Sequence, residues 1–225
     1  MKQNLCEFYK KILPHVRRYV FGRPLLILTE NTHQQWQDRF YFKSHFISEI
    51  EDFDRFRIQA WNDTDWVDII DKLKPMEFHV RMSHFFETHL REVVFDLDPS
   101  ESIGLELPFE YGKGFVDWLN TNVSQEFHEV RMLFSGNRGF HIRLVLKNRK
   151  PKEALEDFMN ICVDKYGKPF VGKVDTNMCN PLHFIRMPLS YHMKGEKLSF
   201  FVDKLEKFNE EIAKEKSQSL LEAFL

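Results

Sequence analysis

Two aspartates, Asp96 and Asp98, stand two residues apart inside the apolar run Val93-Val94-Phe95-Asp96-Leu97-Asp98. On a strand, a spacing of two puts both carboxylates on one face. Two acids there repel each other and resist burial. A divalent cation that prefers hard oxygen ligands, Mg²⁺ or Mn²⁺, relieves both penalties. Two solvated acids at an exposed strand end are the plain alternative. A second segment, Ser135-Gly136-Asn137-Arg138-Gly139-Phe140-His141, carries anion chemistry. Its glycines permit a tight turn with converging N–H groups, while Ser135, Arg138 and His141 add a hydroxyl, a guanidinium and a ring donor. An ordinary hairpin turn uses the same Gly, Asn and Ser, but has no need of Arg and His at those places. Asp175 follows in Lys-Val-Asp-Thr-Asn, and alone it reads as a turn or cap residue. Arg186, Ser190, His192, Lys194 and Lys197 lie in a basic segment. That segment reads either as a solvated loop or, beside the glycine turn, as the holder of the rest of a triphosphate.

Strands and helices must position these groups. Residues 91–98 form the strand that bears the two acids. Residues 129–134 and 139–146 form two strands joined by the Ser-Gly-Asn-Arg turn. From Pro75 a strand points Met76, Phe78 and Val80 one way and Glu77, His79 and Arg81 the other. Residues 25–29 and 39–46 are two further strands, and 197–202 is the last. Leu5, Phe8, Tyr9, Ile12 and Leu13 recur at helical spacing, with Pro14 interrupting or restarting the helix. A helix capped by Asp63 or Thr64 runs to Leu73, and residues 47–62 read as loop. Residues 114–123 are helical. Pro151 opens a helix with the stripe Leu155, Phe158, Met159, Cys162, Val163 and Tyr166, closed by Gly167. Leu205, Phe208 and Ile212 mark a last helix, and a charged tether follows. Mixed elements with sequential strands predict an α+β fold.

The chain has 225 residues with 43% hydrophobic and 29% charged, enough for a sizeable core and too apolar for wholesale disorder. The formal net charge of −2 excludes a generic polycation, so any nucleic-acid site is a local patch. Cys6, Cys162 and Cys179 form no Cys-x-x-Cys pair, against a disulfide scaffold or a zinc ribbon. No apolar run approaches a membrane span, and the first residues lack a signal-peptide core. The expectation is a cytoplasmic, nucleoid-associated protein without a membrane.

In their order, the Asp-x-Asp strand, the Ser-Gly-x-Arg-Gly-x-His turn and the later lone Asp resemble the archaeo-eukaryotic primase superfamily, from about Glu7 to Phe201. The pieces LPHVRRYVFGRPLLIL, FYFKSH, PMEFHVRM and VVFDLDPSE are similar to the polymerase domain of the end-joining ligase D family. RMPLSYHMKGEKL is similar to the catalytic subunit of archaeal replicative primases. The resemblance implies an RRM-like antiparallel sheet bearing the acids, with a second N-terminal α/β unit. It implies that Asp96, Asp98 and Asp175 form the catalytic metal triad of a nucleotidyltransferase with two Mg²⁺ or Mn²⁺ ions. It places Lys43, Ser135, Arg138, Gly139, His141, Arg186, Ser190 and His192 at the nucleotide and His79 beside its ribose. The implied activity is template-dependent addition of NTP or dNTP to a primer 3′-hydroxyl in break or gap repair. A replicative primase subunit and a non-catalytic DNA-end or clamp-binding module are the alternatives. Implied partners are DNA primer–template or DNA ends, Ku and a ligase. No Lys-x-Asp-Gly motif occurs, so the ligase is expected as a separate chain, and no Cys/His cluster exists for zinc. Gln218, Leu221, Phe224 and Leu225 resemble a sliding-clamp-binding box, with Leu225 in place of its final aromatic. The expected organisation is a single two-lobed catalytic domain over 1–213 and a flexible tail over 214–225. The other reading of that end is an amphipathic helix packed on the domain.

Overall fold

A computed structural model of the protein describes residues 2–21, 23, 25–28, 62–82, 89–176, 178 and 184–225. The expected strand over 39–46, with Lys43, lies outside the described residues, as does the loop over 47–61.

The chain opens with α1 (Lys2–Lys11) and α2 (Leu13–Val20), separated at Ile12, and Pro14 sits in the first turn of α2 where its missing N–H costs nothing. Then come β1 (Leu25–Leu28), α3 (Asp63–Leu73) and β2 (Glu77–Arg81). Asn62, rather than Asp63 or Thr64, caps α3, its side chain accepting from the Asp65 N–H at 2.9 Å. The acids lie on β3 (His89–Pro99). Next is α4 (Glu106–Asn122), which starts eight residues before the expected 114, with Pro108 in its first turn. The strands β4 (Phe127–Phe134) and β5 (Phe140–Pro151) flank the glycine turn, and α5 (Lys152–Tyr166) follows Pro151. The remaining strands are β6 (Gly172–Asp175), β7 (Phe184–Arg186), β8 (Tyr191–His192), β9 (Lys197–Leu198) and β10 (Phe200–Phe201). The helix α6 (Glu210–Phe224) ends the chain.

The strands form a five-stranded antiparallel sheet in the order β10-β4-β5-β3-β6, a three-stranded sheet β1-β2-β7, and the hairpin β8–β9. The fold is α+β, as expected. One face of the large sheet is apolar. Its Phe95 and Phe140 meet Phe115 and Phe109 of α4, with ring centroids 5.0 and 6.1 Å apart, and α5 packs Leu155, Met159 and Cys162 into the same core. Each such side chain stabilises by roughly 1.5–3 kcal/mol on full burial. The opposite face carries Glu92, Val94, Asp96 and Asp98 of β3 beside Arg143 and His141 of β5. At its far end buried Glu92 accepts from Arg143 Nε at 2.7 Å and Arg23 Nη1 at 2.9 Å, which fastens the N-terminal segment to the sheet.

In the small sheet Ile27, Phe78, Val80 and Ile185 face inward toward α1 and α3, and Trp66 stacks on Phe78 at 4.7 Å. Buried Tyr9 is the joint of this lobe. Its hydroxyl donates to Met76 O at 2.6 Å and accepts from Tyr191 N at 3.0 Å. Burial pushes that hydroxyl's pKa above the range in which it ionises.

Two expectations are corrected. Residues 197–202 are not one strand: Lys197–Leu198 belongs to the hairpin and Phe200–Phe201 to the large sheet. Ser199 between them is fully buried, and its hydroxyl donates to Met187 O at 2.7 Å. The expected tether over 214–217 and tail to 225 are instead part of α6, a continuous helix. Asn209 caps it by accepting from the Ile212 N–H at 2.9 Å.

Candidate active site

Antiparallel pairing sets the acids. Asp96 is the Cα partner of Asp175 on β6 and, on its other side, of His141 on β5. Asp98 extends the same face one pleat further, opposite Lys173. His141 is buried, with Nε2 3.5 Å from Asp96 Oδ1. Asp175, which alone reads as a turn or cap residue, lies on a short edge strand, with Oδ2 3.1 Å from Lys173 Nζ. Burial pushes the Asp96 carboxyl up to about 8, and the charges of Asp98 and Asp175 add to the rise. Lys173 and Arg186 pull the other way without reversing it. Among the described residues no group of three His, Cys, Asp or Glu side chains stands ready to hold an ion. The donor chemistry nonetheless fits a hard divalent cation: on three carboxylates of adjacent strands, where burial and the neighbouring acids disfavour the Asp96 anion, such an ion supplies the missing positive charge.

The glycine turn abuts these acids. Ser135 N donates to Gly139 O at 3.0 Å and closes it. A Cβ on Gly139 would lie 2.8 Å from the Leu97 carbonyl, between Ser135 Oγ at 3.5 Å and Asp98 Oδ1 at 3.6 Å, so only glycine lets the turn approach β3. The β8–β9 hairpin covers the turn just as closely, since a Cβ on Gly195 would fall 2.1 Å from Gly136 O. Arg138 departs from the expected cradle: it turns to the rim and pairs with exposed Glu101 at 3.1 Å.

The polar face of the small sheet closes the cleft. Arg186 is buried and donates to Glu77 Oε2 at 2.7 Å. His79 Nε2–H shares that oxygen at 3.3 Å. His192 Nδ1 accepts from the Gly195 N–H at 3.2 Å and lies 3.8 Å from Glu77 Oε1. Burial disfavours the charge on Glu77, but the His79 ring, the Arg186 guanidinium and the Met193 amide reverse that and hold its carboxyl well below the usual range. Ser190, expected at the nucleotide, is corrected: it is fully buried, its hydroxyl accepting from Phe78 N at 2.8 Å, so it joins the hairpin segment to β2.

The family model of the LigD primase-polymerase domain matches residues 1–180. The chain belongs to that family. Among solved structures it is similar to the polymerase domain of Mycobacterium tuberculosis ligase D in complex with DNA, with a TM-score of 0.71 and 15% identity over 99% of this chain and 88% of that one. The AEP domain of the cyanophage S-2L primase-polymerase aligns with a TM-score of 0.49 and 11% identity over 92% of this chain and 96% of that chain. No curated protein matches the sequence.

The LigD family match ends before β7, whereas the likeness to the ligase D polymerase domain spans nearly the whole chain, α6 included. In that helix two of the four clamp-box residues, Leu221 and Phe224, are half-buried against the domain. Phe224 packs edge-on against Phe8, with centroids 5.9 Å apart, and lies 5.1 Å from the His15 ring. Leu221 packs on the core, Gln218 donates to Glu222 at 2.9 Å, and the Leu225 carbonyl accepts from Lys11 at 2.8 Å. α1 and α2 thus partly cover Phe224, while Gln218 and Leu225 stay exposed.

The sequence places Glu77 with His79 and Arg81 on one polar face of the strand but does not show that its carboxylate is buried. The signal available was an acid two residues before His79 on the same face.

Proposed function

We propose that this chain is a template-dependent nucleotidyltransferase that adds ribo- or deoxyribonucleotides to a primer 3′-hydroxyl during repair of DNA breaks or gaps. The register that sets Asp96 between Asp175 and His141, beside the glycine turn, supports this reading most directly. Family membership supports it independently, and the similar ligase D domain was solved with DNA.

Asp96, Asp98 and Asp175 would hold two Mg²⁺ or Mn²⁺ ions, which supply activation of the 3′-hydroxyl and neutralisation of the leaving pyrophosphate. The turn's backbone and Ser135 offer N–H and O–H donors to the triphosphate, and His141 stands between that turn and Asp96. Arg186 adds a fixed positive charge on the facing sheet. His79 lies on the same wall, where a ring nitrogen can pair with a 2′-hydroxyl. Lys43 completes the nucleotide contacts by family resemblance. A separate ligase and Ku are the partners that break repair calls for.

One gel tests the reading. Labelled primer–template, gapped DNA with and without a 5′-phosphate, and unprimed template are each incubated with ribo- or deoxyribonucleotides and Mn²⁺. Extension of the primed and gapped substrates is expected. Products from unprimed template alone would favour a replicative primase instead, and no products on any substrate would overturn the proposal.

A further inference from the structure

Glu77 is fully buried, yet both of its carboxylate oxygens are engaged across three segments. Oε2 accepts from Arg186 on β7 at 2.7 Å and from His79 on β2 at 3.3 Å. Oε1 accepts from the Met193 amide at 2.5 Å, and His192 Nδ1 lies 3.8 Å from it on the same hairpin. Arg186 also donates to Tyr191 O at 3.3 Å, so guanidinium and carboxylate together fix where the hairpin leaves the small sheet.

Stability alone is a weak reason for such a charge. A buried ion pair is often no more stable than apolar side chains of the same volume, because desolvation offsets the attraction. What a buried carboxylate does uniquely is orient donors, since a guanidinium and an imidazole aligned on fixed oxygens have few other directions to point. The donors that Glu77 orients lie on the wall facing the acids. Arg186 is close enough to Asp96 for its charge to be felt there. The hairpin held through Met193 is the one that lies over Gly136.

We propose that Glu77 is a positioning residue of the nucleotide site: it aims Arg186 and His79 at the incoming nucleoside triphosphate and holds the β8–β9 hairpin over the glycine turn. This inference rests on the polymerase reading above. Glu77 itself does not touch the nucleotide. Its removal acts through Arg186 and His79, and so on nucleotide binding before the chemical step.

The test uses the full chain and the variants Glu77→Gln, Arg186→Gln and the double variant. Glutamine keeps the size of the side chain and an acceptor for the Met193 amide while removing the charge. Three quantities are measured: affinity for a non-reactive nucleoside triphosphate analogue with Mn²⁺, KM and kcat in primer extension, and affinity for the DNA alone. Glu77→Gln is expected to weaken nucleotide affinity and raise KM by about tenfold or more, with kcat and DNA affinity changing much less. The losses should not add: the double variant is expected within about threefold of the weaker single variant. If Glu77→Gln does not fold, the double variant, which strands no guanidinium, is compared with Arg186→Gln and should match it. A folded Glu77→Gln with wild-type nucleotide affinity, or a double variant with fully additive loss, overturns the proposal while the polymerase reading stands. A wild-type chain that binds no nucleotide overturns both.

Discussion

Asp96 and Asp175 are Cα partners across the antiparallel β3–β6 ladder. They stand 79 positions apart in the sequence, yet the pairing sets like charges side by side on one sheet face, with Asp98 one pleat away. A ladder of apolar side chains would be more stable there, so the arrangement makes physical sense as a seat for positive charge.

Removing that repulsion should therefore stabilise the metal-free protein. In a thermal melt with chelator, Asp96→Asn is expected to melt higher than the wild type, by roughly 2–4 °C for each kcal/mol relieved in a chain of this size. Mn²⁺ should raise the wild-type midpoint and leave the variant nearly unmoved. Equal responses of the two proteins to Mn²⁺ would remove Asp96 from the ligand set.

Glu77 gives the fold a dependence on pH. Its folded carboxyl is held below the ordinary range, so its stabilising contribution is present above about pH 4.3, the usual value for Glu, and is lost as the pH falls from there. Glu77→Gln lacks this contribution. The stability gap between the two proteins in urea should therefore narrow progressively below about pH 4.3. A gap that stays constant down to pH 3 would mean that the Glu77 carboxyl is not held down by its neighbours.

Contact between the hairpin and the glycine turn can be tested by a single methyl group. Gly195→Ala puts a carbon where Gly136 O already lies 2.1 Å away, so one of the two loops must move. The expected result is a nucleotide KM raised on the order of tenfold to a hundredfold, because displacements near 1 Å are costly at a reacting site. Unchanged extension kinetics would show that the hairpin takes no part in the site.

The acid strand and the glycine turn were legible in the sequence because both depend on short-range rules. Period two put Asp96 and Asp98 on one face, and paired glycines announced a tight approach. The partner of Asp96 was not legible: Asp175 sits on a four-residue edge strand whose pairing is set by tertiary contacts rather than by local pattern. Charge misled in two places. Glu77 reads only as part of a polar strand face with His79 and Arg81, yet it is fully buried, engaged by Arg186 of its own sheet and by the Met193 amide of the hairpin. The run Lys214–Ser217 looked like a tether, yet Ala213 and Ser217 lie four residues apart on one buried face of α6.

That helix should matter for stability. Ser217 Oγ accepts from the Leu198 N–H at 2.8 Å, which ties α6 to the hairpin. Ser217→Ala leaves this buried N–H unsatisfied, at an expected cost of about 1–3 kcal/mol in a urea melt. Deleting residues 218–225 should lower the midpoint further, by uncovering Phe8. A truncated chain with unchanged midpoint would return this segment to the role of a free tail.

On the proposed reading, Asp96 belongs to the reacting centre of a polymerase. Its most direct test is the rate of single-nucleotide extension of a labelled primer–template by the wild type and by Asp96→Asn, at DNA and nucleotide concentrations that saturate both. Measurable extension by the wild type is expected, and a loss of at least about a thousandfold in the variant with DNA affinity retained, since phosphate contacts rather than the acids hold the duplex. Extension by Asp96→Asn at close to the wild-type rate would contradict that reading.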